Sequence, residues 1–346
     1  MQRVLKVPRV LRVLVLKVPA VLTVLTVLTV LTVLCGTAAS AERYALIVSG
    51  ASGEESYAPQ YAQWRQAASV ALIEKLGFDA THIVTLFDGG EADHASTAAG
   101  VRKAVAALRA RLKSDDVVLI LLIGHGSFDG AEAKFNLVGP DLSSAEWAAL
   151  LKPLPGTLVI VDSTAASFPF LQSLAAPRRV VITATDSAAQ RFDTVFPEYF
   201  IKALTDPEAD IDKNGRISMW EAFTAASLGV KRFYTQRGQL ATERALIDDN
   251  GDGEGREAGG DGTDGSASAR LYLDPDVPGA APTDEALLTL LQKRASLQAD
   301  VDDLKQRRQL MTPDEYQKEF ERIMIELARV SRDIRARQKN PGSYTS

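Results

Sequence analysis

Short apolar runs that alternate with helix-like segments constrain the fold of this 346-residue chain more than any other feature. Apolar runs of this kind indicate strands that are covered on both faces, and the segments between them have helical periodicity. Strands are predicted at 44–49, 81–87, 116–123, 157–161 and 179–184, and helices at 58–76 and 96–113. The alternation predicts an α/β fold in which a mostly parallel sheet carries helices on both faces.

The N-terminal segment, residues 1–41, has the pattern of a secretory signal peptide. Five basic residues and no acidic ones are combined with an apolar run from Ala20 to Leu34. Ala39 and Ala41 then fit the small-x-small rule for a cleavage site. We therefore expect an exported protein, periplasmic or extracellular, with an uncleaved membrane anchor as the alternative.

Cleavage near Ala41 changes the chemistry that remains in the mature chain, residues 42–346. It removes the single cysteine, Cys35, and five of the 39 basic residues, so the net charge falls from −5 to −10. An acidic chain argues against nucleic acid as a partner, because phosphate binding needs clustered Lys and Arg. No later stretch is long and apolar enough for a stable membrane span.

Residues 210–221 satisfy every position of a twelve-residue, EF-hand-like calcium loop. Oxygen-bearing side chains stand at positions one, three, five, nine and twelve, namely Asp210, Asp212, Asn214, Ser218 and Glu221. Gly215 occupies position six, where such loops turn sharply, and Arg216 at position seven offers its backbone carbonyl. The pattern predicts bound Ca²⁺; the alternative is a solvated acidic turn that caps the helix opened by Glu221 and running to about Phe233.

A second acidic loop, residues 248–264, is a candidate for another metal site. Asp248, Asn250 and Asp252 stand at alternating positions, as in a calcium loop. Position twelve counted from Asp248 is Gly259, so a bidentate carboxylate is missing there. The segment is therefore either a looser calcium site or a flexible polar loop.

Residues 283–338 have apolar side chains at helical spacing in two stretches. The break between the stretches contains Thr312-Pro313-Asp314-Glu315, a capping-box pattern with proline at the first helical position. This pattern predicts two antiparallel helices, an α-helical hairpin of coiled-coil type. The apolar stripe either packs between the two helices or docks a partner, including a second copy of this chain.

A histidine between two glycines follows the predicted strand 117–123. Gly124 and Gly126 allow a sharp turn that leaves the imidazole of His125 open, and histidine suits proton transfer near neutral pH. The next strand ends in Asp-Ser-Thr-Ala-Ala-Ser, residues 162–167. A histidine loop and a hydroxyl-bearing loop at adjacent strand ends is the arrangement that nucleophilic catalysis requires.

This order of strands and loops resembles the caspase-like superfamily, and within it the legumain branch and its bacterial relatives. The resemblance covers roughly residues 43–255 and includes Tyr44–Gly50 and the strand 180–185. It implies one domain at 42–275 that contains both acidic loops. It also implies that His125 is the general base and that Thr164 occupies the position of the family's cysteine.

The resemblance further implies that the loop after strand 180–185, with Asp186, Arg191 and Asp193, shapes a substrate pocket, although these side chains are equally consistent with solvated loop charges. Because the mature chain has no cysteine, we expect a non-catalytic, calcium-binding scaffold or peptide-binding protein. The alternative is an active exported peptidase that uses His125 with Ser163, Thr164 or Ser167, and with the Gly126 amide as an oxyanion donor. A third interpretation is that calcium only stabilises the fold and the hairpin performs all the binding.

Overall fold

The computed structural model describes residues 41–260, 262–275, 285–308 and 311–339. The predicted signal peptide, apart from Ala41, lies outside these described residues. Within them, no helix combines the length and the apolar character needed to cross a membrane.

The strands and helices follow one another in the order expected for an α/β domain, with two long helices at the end. The strands are β1 Arg43–Ser49, β2 Ile83–Leu86, β3 Val117–Ile123, β4 Gly126–Phe128, β5 Ala133–Phe135, β6 Leu142–Ser143, β7 Thr157–Asp162, β8 Arg179–Thr183 and β9 Leu246–Asp248. The helices are α1 Tyr57–Val70, α2 Ala98–Arg111, α3 Ser144–Leu151, α4 Phe168–Leu174, α5 Phe196–Ala203, α6 Met219–Gln236, α7 Glu285–Arg307 and α8 Pro313–Lys339.

The main sheet has six strands in the order β2-β1-β3-β7-β8-β9. The first five strands are mutually parallel, and β9 pairs antiparallel with β8 at the edge. The predicted fold class, a mostly parallel sheet with helices on both faces, is confirmed. The five predicted strands agree with β1, β2, β3, β7 and β8 to within three residues at each end.

Alternation along the central strands gives the sheet two buried faces. In β3, Leu119, Leu121 and Ile123 pack on one face with side chains of α1, α5 and α6. Val118, Ile120 and Leu122 pack on the other face with α2, α3 and α4. All six of these side chains are buried, and burying one large apolar side chain stabilises the fold by about 1.5–3 kcal/mol. Because both faces are covered, the strand is apolar along its whole length.

Three short strands form a second, antiparallel sheet in the order β4-β5-β6 directly after β3. They contain only three, three and two residues, which is too short for a periodic pattern to indicate them. The sheet positions the histidine loop, because Asn136 donates a backbone hydrogen bond to the His125 carbonyl oxygen at 3.0 Å.

Helices α7 and α8 occupy the segment in which a hairpin is predicted. Val301 and Leu304 of α7 share a buried apolar cluster with Ile323 and Ile334 of α8. The helix α8 begins at Pro313. The Thr312 amide and hydroxyl donate to the Glu315 carboxylate, and the Glu315 amide donates to the Thr312 hydroxyl across the first turn. The coiled-coil type and self-association through this segment stay predictions.

The cluster between α7 and α8 also reaches the α/β domain. Ile211, inside the predicted calcium loop, packs against this cluster. The Ser296 hydroxyl of α7 donates a hydrogen bond to the Gly259 carbonyl oxygen at 3.0 Å. The two helices are therefore in contact with both acidic loops.

Candidate functional site

The histidine loop and the hydroxyl-bearing loop emerge at the same edge of the sheet. Strands β3 and β7 are parallel, and Leu122 pairs with Asp162. Gly124 has φ +151°, and a Cβ there would lie 3.3 Å from the Gly50 backbone nitrogen. Glycine at this position lets the chain pass close to the neighbouring strand and delivers His125 to the surface of that edge.

His125 is surrounded by two tyrosines and a carboxylate. Its Nδ1 lies 3.4 Å from Asp193 Oδ1, and the rings of Tyr57 and Tyr61 lie at steep angles to the imidazole, with centroids 4.6 and 5.7 Å away. The Tyr57 hydroxyl donates a hydrogen bond to Asp193 Oδ2. That hydrogen bond raises the pKa of Tyr57, and burial raises the pKa of Tyr61, so both phenols stay protonated at neutral pH.

A cavity of about 120 Å³ lies next to these groups. Its lining includes Tyr57, Tyr61, Trp64, His125, Ala165 and Asp193. From the hydroxyl-bearing loop 163–167, Ala165 is the residue that lines the cavity with His125. The residue with which this loop meets the cavity therefore has no hydroxyl or thiol group.

The three hydroxyls that the sequence offers as nucleophiles are fully buried. The Ser163 hydroxyl donates to the Leu122 carbonyl oxygen at 2.6 Å, and the Ser167 hydroxyl lies 3.0 Å from that of Thr185. Thr164 Oγ1 has no hydrogen-bond partner among the described residues. Within that part of the chain, none of the three forms a hydrogen bond with His125.

Thr164 instead packs against the backbone of the histidine loop. A Cβ added to Gly126 would lie 2.6 Å from Thr164 Oγ1 and 3.0 Å from Thr164 Cβ. Gly126 is therefore required for the close approach of the two loops, independently of any role for its amide in catalysis.

Asp162 closes strand β7 as a buried carboxyl with no exposed surface. Its Oδ1 accepts a hydrogen bond from the Thr164 amide at 2.9 Å, whereas Oδ2 has no hydrogen-bond partner among the described residues. Burial raises the pKa of Asp162 to about 6, although the hydrogen bond from the Thr164 amide opposes the rise. This carboxyl stabilises the turn of the loop and does not face the cavity.

The loop after β8 supplies the carboxylate that faces His125, and a buried glutamate holds that loop. Glu243 accepts hydrogen bonds from the amides of Val195 and Phe196 at 2.8 and 3.1 Å, and from the Tyr234 hydroxyl at 2.9 Å. Burial raises the pKa of Glu243, but these three donors oppose the rise. Glu243 lies 48 residues from Val195 along the chain, so no local pattern predicts its contact with this loop.

Among the three charged residues predicted to shape a pocket, Asp193 alone lines this cavity. Asp186 forms an ion pair with Arg244 at 2.6 Å, and the side chain of Arg191 is exposed. The partners Tyr57 and Asp193 are 136 residues apart, so no local pattern could link them. The sequence signal that was available is the row of aromatic residues at the start of α1.

The acidic loop 210–221 brings three carboxylates together. One oxygen from each of Asp210, Asp212 and Glu221 lies within 4.8 Å of the others. The Asp210 carboxylate accepts hydrogen bonds from the amides of Asn214 and Gly215, at 3.1 and 3.0 Å. These contacts hold the loop in a closed turn with its carboxylates converging.

Convergence of like charges has an electrostatic cost at this loop. Burial, followed by the charges of Glu221 and Asp210, raises the pKa of Asp212 to about 6. A divalent cation would remove that repulsion, and carboxylate oxygens are the ligands that Ca²⁺ prefers. The residues present therefore fit the predicted ion.

The remaining predicted ligands also form contacts that stabilise the loop and the start of α6. Asn214 Oδ1 accepts a hydrogen bond from the Arg216 amide at 2.8 Å, and the Arg216 side chain pairs with Asp274 at 2.8 Å. Ser218 and Glu221 form a capping box at the start of α6, which begins at Met219 and continues to Gln236, three residues beyond the predicted end. Glu221 thus has a structural role in the helix as well as a position in the carboxylate cluster.

The second acidic loop is also closed by hydrogen bonds from its own amides. Asp248 accepts from the amides of Gly251 and Gly253, at 2.7 and 2.8 Å, and Asn250 accepts from Asp252 at 2.8 Å. Burial raises the pKa of Asp264 to about 6, with smaller contributions from Asp248 and other nearby carboxylates. Asp264 is a carboxylate near Asp248 that counting twelve positions along the sequence did not find.

No protein-family model matches this chain, and no curated protein matches it. Among solved structures, protein GSU0716 from Geobacter sulfurreducens is similar to it, with 15% identity, a TM-score of 0.38, and coverage of 60% of this chain and 92% of that one. The caspase drICE is similar with 10% identity, a TM-score of 0.35, and coverage of 62% and 90%. Similarity at this level assigns neither a family nor an activity.

Proposed function

We propose that this chain is an exported, calcium-stabilised pseudoenzyme that binds a peptide at the edge of the sheet where His125 lies. One observation carries the proposal: Ala165 is the residue that the hydroxyl-bearing loop presents to the cavity beside His125. Its methyl group is unable to attack a carbonyl carbon. The resemblance to caspases and legumain supplies the peptide as the class of ligand, and residues 1–41 support export.

Burial of the hydroxyls supports the same conclusion. A hydroxyl nucleophile must lie within hydrogen-bond reach of its general base and must face the substrate. Ser163, Thr164 and Ser167 have no exposed surface, and the hydroxyls of Ser163 and Ser167 have partners other than His125. Productive attack would require the whole loop 163–167 to rearrange.

Calcium is assigned a structural role in this proposal. Asp210, Asp212, Asn214 and Glu221 would hold the ion through side-chain oxygens, and Arg216 through its carbonyl. The positive charge of the ion would offset the repulsion between these carboxylates and so hold closed the loop that connects α5 to α6. Loop 248–264 is a second candidate, with Asp248, Asn250 and Asp252 as its side-chain ligands.

Cleavage of a mixed peptide library is the experiment that tests the proposal. The mature chain, residues 42–346, is incubated with the library in calcium and in chelator, and products are identified by mass spectrometry. We expect peptides to be retained by the protein and none to be cleaved. Cleavage that disappears in His125→Ala would overturn the proposal.

An exported hydrolase is the second candidate, and one contact favours it. Asp193 lies against His125 Nδ1, where a carboxylate can orient an imidazole for proton transfer through Nε2. This candidate predicts that a single replacement, Thr164→Ala, Ser163→Ala or Ser167→Ala, abolishes cleavage. Retention of cleavage in all three would exclude these hydroxyls as nucleophiles.

The helices α7 and α8 are proposed to hold a second protein subunit. The alternative hypothesis, in which these two helices perform all the binding, can be distinguished by experiment. Binding would then survive Asp193→Asn in the cavity and disappear when residues 283–346 are deleted. The peptide-binding proposal predicts the reverse dependence.

A further inference from the structure

The cavity beside His125 has aromatic walls. Tyr57, Tyr61 and Trp64 follow one another along one side of α1. Neighbouring rings in this row are separated by 5.9 and 6.0 Å and are inclined by less than 30°. Electron-rich rings of this kind attract cations that approach their faces.

The charged groups that line the cavity favour a cation as well. Among the described lining residues, Asp193 is the one carboxylate and none is lysine or arginine. The titratable groups that face Asp193 are His125 and Tyr57, and Tyr61 lies behind them. Asp193 is therefore the group in this lining that can pair with an incoming cation.

Asp193 retains capacity for a further hydrogen bond. Its two oxygens contact His125 and Tyr57, but an ionised carboxylate has about four acceptor sites. The Asp193 side chain is about half exposed, so an incoming group can reach it. The cavity volume of about 120 Å³ equals the liquid volume of about four water molecules, which suits a small polar head on a narrow stem.

We propose that this cavity binds an alkylammonium group, with Asp193 as the counter-ion and the rings of Tyr57 and Tyr61 as its walls. The ammonium belongs to a lysine side chain or to the N-terminal amine of a peptide. This inference rests on the peptide-binding function proposed above and names the chemical group that the site selects.

Two titrations of the mature protein with a small probe test the cavity by itself. Butylammonium and its neutral analogue butanol are added to the calcium-loaded protein, and the amide signals of Gly124 and Gly126 are followed by NMR. We expect butylammonium to shift these signals saturably and butanol to have little effect. Asp193→Asn should weaken butylammonium binding about tenfold or more, since the amide oxygen can still accept a hydrogen bond but no longer carries the negative charge that pairs with the ammonium.

Two further variants distinguish the contribution of the aromatic rings to binding from a general effect of substitution on the fold. Tyr61→Leu keeps an apolar wall but removes a ring face, and we expect it to weaken butylammonium binding about threefold or more. Asp93→Asn removes an exposed carboxylate that is paired with Lys103 and does not line the cavity, so its affinity should equal that of the wild type. Equal binding by wild type and Asp193→Asn, or equal binding of butanol and butylammonium, would overturn the inference.

Four peptides then identify the source of the ammonium group. They carry an internal lysine with an acetylated N-terminus, a free N-terminus without lysine, an acetylated norleucine counterpart, or an acetylated arginine counterpart. We expect one of the first two to bind about tenfold more tightly than the norleucine peptide. Equal binding of all four peptides would reject the ammonium selectivity and leave peptide binding intact. Binding of butylammonium with no peptide bound would reject the peptide function and leave the ammonium site intact.

Discussion

Asp162 is a carboxyl that the fold buries completely at the end of a central strand. Burial raises its pKa from 3.8 to about 6, so the folded protein binds this proton more tightly than the unfolded chain does. Its contribution to the free energy of unfolding is therefore highest below pH 4 and is lost as the pH rises through about 6. The full loss is about 3 kcal/mol.

We predict that Asp162→Asn removes this pH dependence. The amide oxygen can still accept the hydrogen bond from the Thr164 amide, but the side chain no longer ionises. The difference in unfolding free energy between variant and wild type should shift in favour of the variant by about 2 kcal/mol between pH 4 and pH 7. Urea denaturation at several pH values measures it.

A surface carboxyl provides the control for Asp162. Asp79 is exposed, and its hydrogen bonds from Thr81 lower its pKa. Its stabilising contribution is present at neutral pH and is lost as the pH falls, so Asp79→Asn should give a difference of the opposite sign. Parallel stability curves for Asp162→Asn and the wild type would contradict the prediction.

Gly126 is needed because Thr164 lies against it. We predict that Gly126→Ala destabilises the protein by about 1–3 kcal/mol, since its methyl group would collide with the Thr164 side chain. Adding Thr164→Ala to this variant should recover part of the loss, which would demonstrate direct coupling. Denaturant unfolding of the single and double variants gives the coupling energy.

The matched control is a glycine with room for a methyl group. At Gly260 an added Cβ would lie 3.5 Å from its nearest neighbour, which is ordinary contact. Gly260→Ala should change the stability by less than about 0.5 kcal/mol. If Gly126→Ala were as stable as the wild type, the two loops would not be in the close contact described above.

At the scale of elements, Ile211 connects the proposed calcium loop, residues 210–221, with the two C-terminal helices. The amides of Ile211 and Asp212 donate to Glu221 Oε1 at 2.8 and 3.2 Å, while the Ile211 side chain packs against the cluster of α7 and α8. An ion that orders this loop also orders Ile211. We predict that Ca²⁺ slows amide hydrogen exchange in α7 and α8 about tenfold, equal to about 1.4 kcal/mol of local stability.

Replacement of the shared side chain tests this coupling. Ile211→Ala should keep calcium binding, because its backbone amide is retained, but the effect of Ca²⁺ on exchange in α7 and α8 should largely disappear. Ile325→Ala provides the control, since this residue of α8 is exposed and should leave the effect unchanged. The same protection by Ca²⁺ in Ile211→Ala as in the wild type would show that the coupling does not pass through this contact.

The elements that could be predicted from the sequence are those with a repeated physical requirement. Strand β3 is apolar throughout because both faces of the sheet cover it, and this requirement is visible in any seven-residue window. Loop 210–221 is indicated by the spacing of its oxygen-bearing residues, and three of its carboxylates do converge, whereas bound calcium stays a prediction. Strands β4–β6 are too short to contain a period, so they were missed.

The contacts of the site depend on distant parts of the chain. Asp193 meets His125 because β8 lies beside β7 in the sheet and Glu243 holds the loop that follows β8. Neither condition leaves a local signature. The burial of the three candidate nucleophiles could not be predicted for the same reason. The sequence places three hydroxyls in loop 163–167, but the direction in which each points depends on the tertiary fold.

At the scale of the whole molecule, the proposed binding site and the proposed calcium loop are linked through the core. Helices α1 and α5 frame the cavity through Tyr61 and Pro197, and α6, which begins at the calcium loop, packs in the same core cluster as α1 and α5. An ion bound at this loop would therefore act on a helix that belongs to the main core. Its effect should be seen in the cooperative unfolding of the domain as well as in local order.

We predict that Ca²⁺ at one hundred times its dissociation constant stabilises the mature chain by about 2.7 kcal/mol and raises Tm by about 5 °C. Glu221→Gln should lose this rise, because the amide lacks the bidentate negative charge. Its stability in chelator should also fall, because a glutamine that completes the capping box with Ser218 turns its Nε2 toward the amides of Ile211 and Asp212, which then lose their acceptor. Glu208→Gln, an exposed neighbour, should keep the full rise. Calorimetry in calcium and in chelator measures all three proteins. If Glu221→Gln shows the same increase as the wild type, the ion that stabilises the protein binds elsewhere, and loop 248–264 becomes the first place to look.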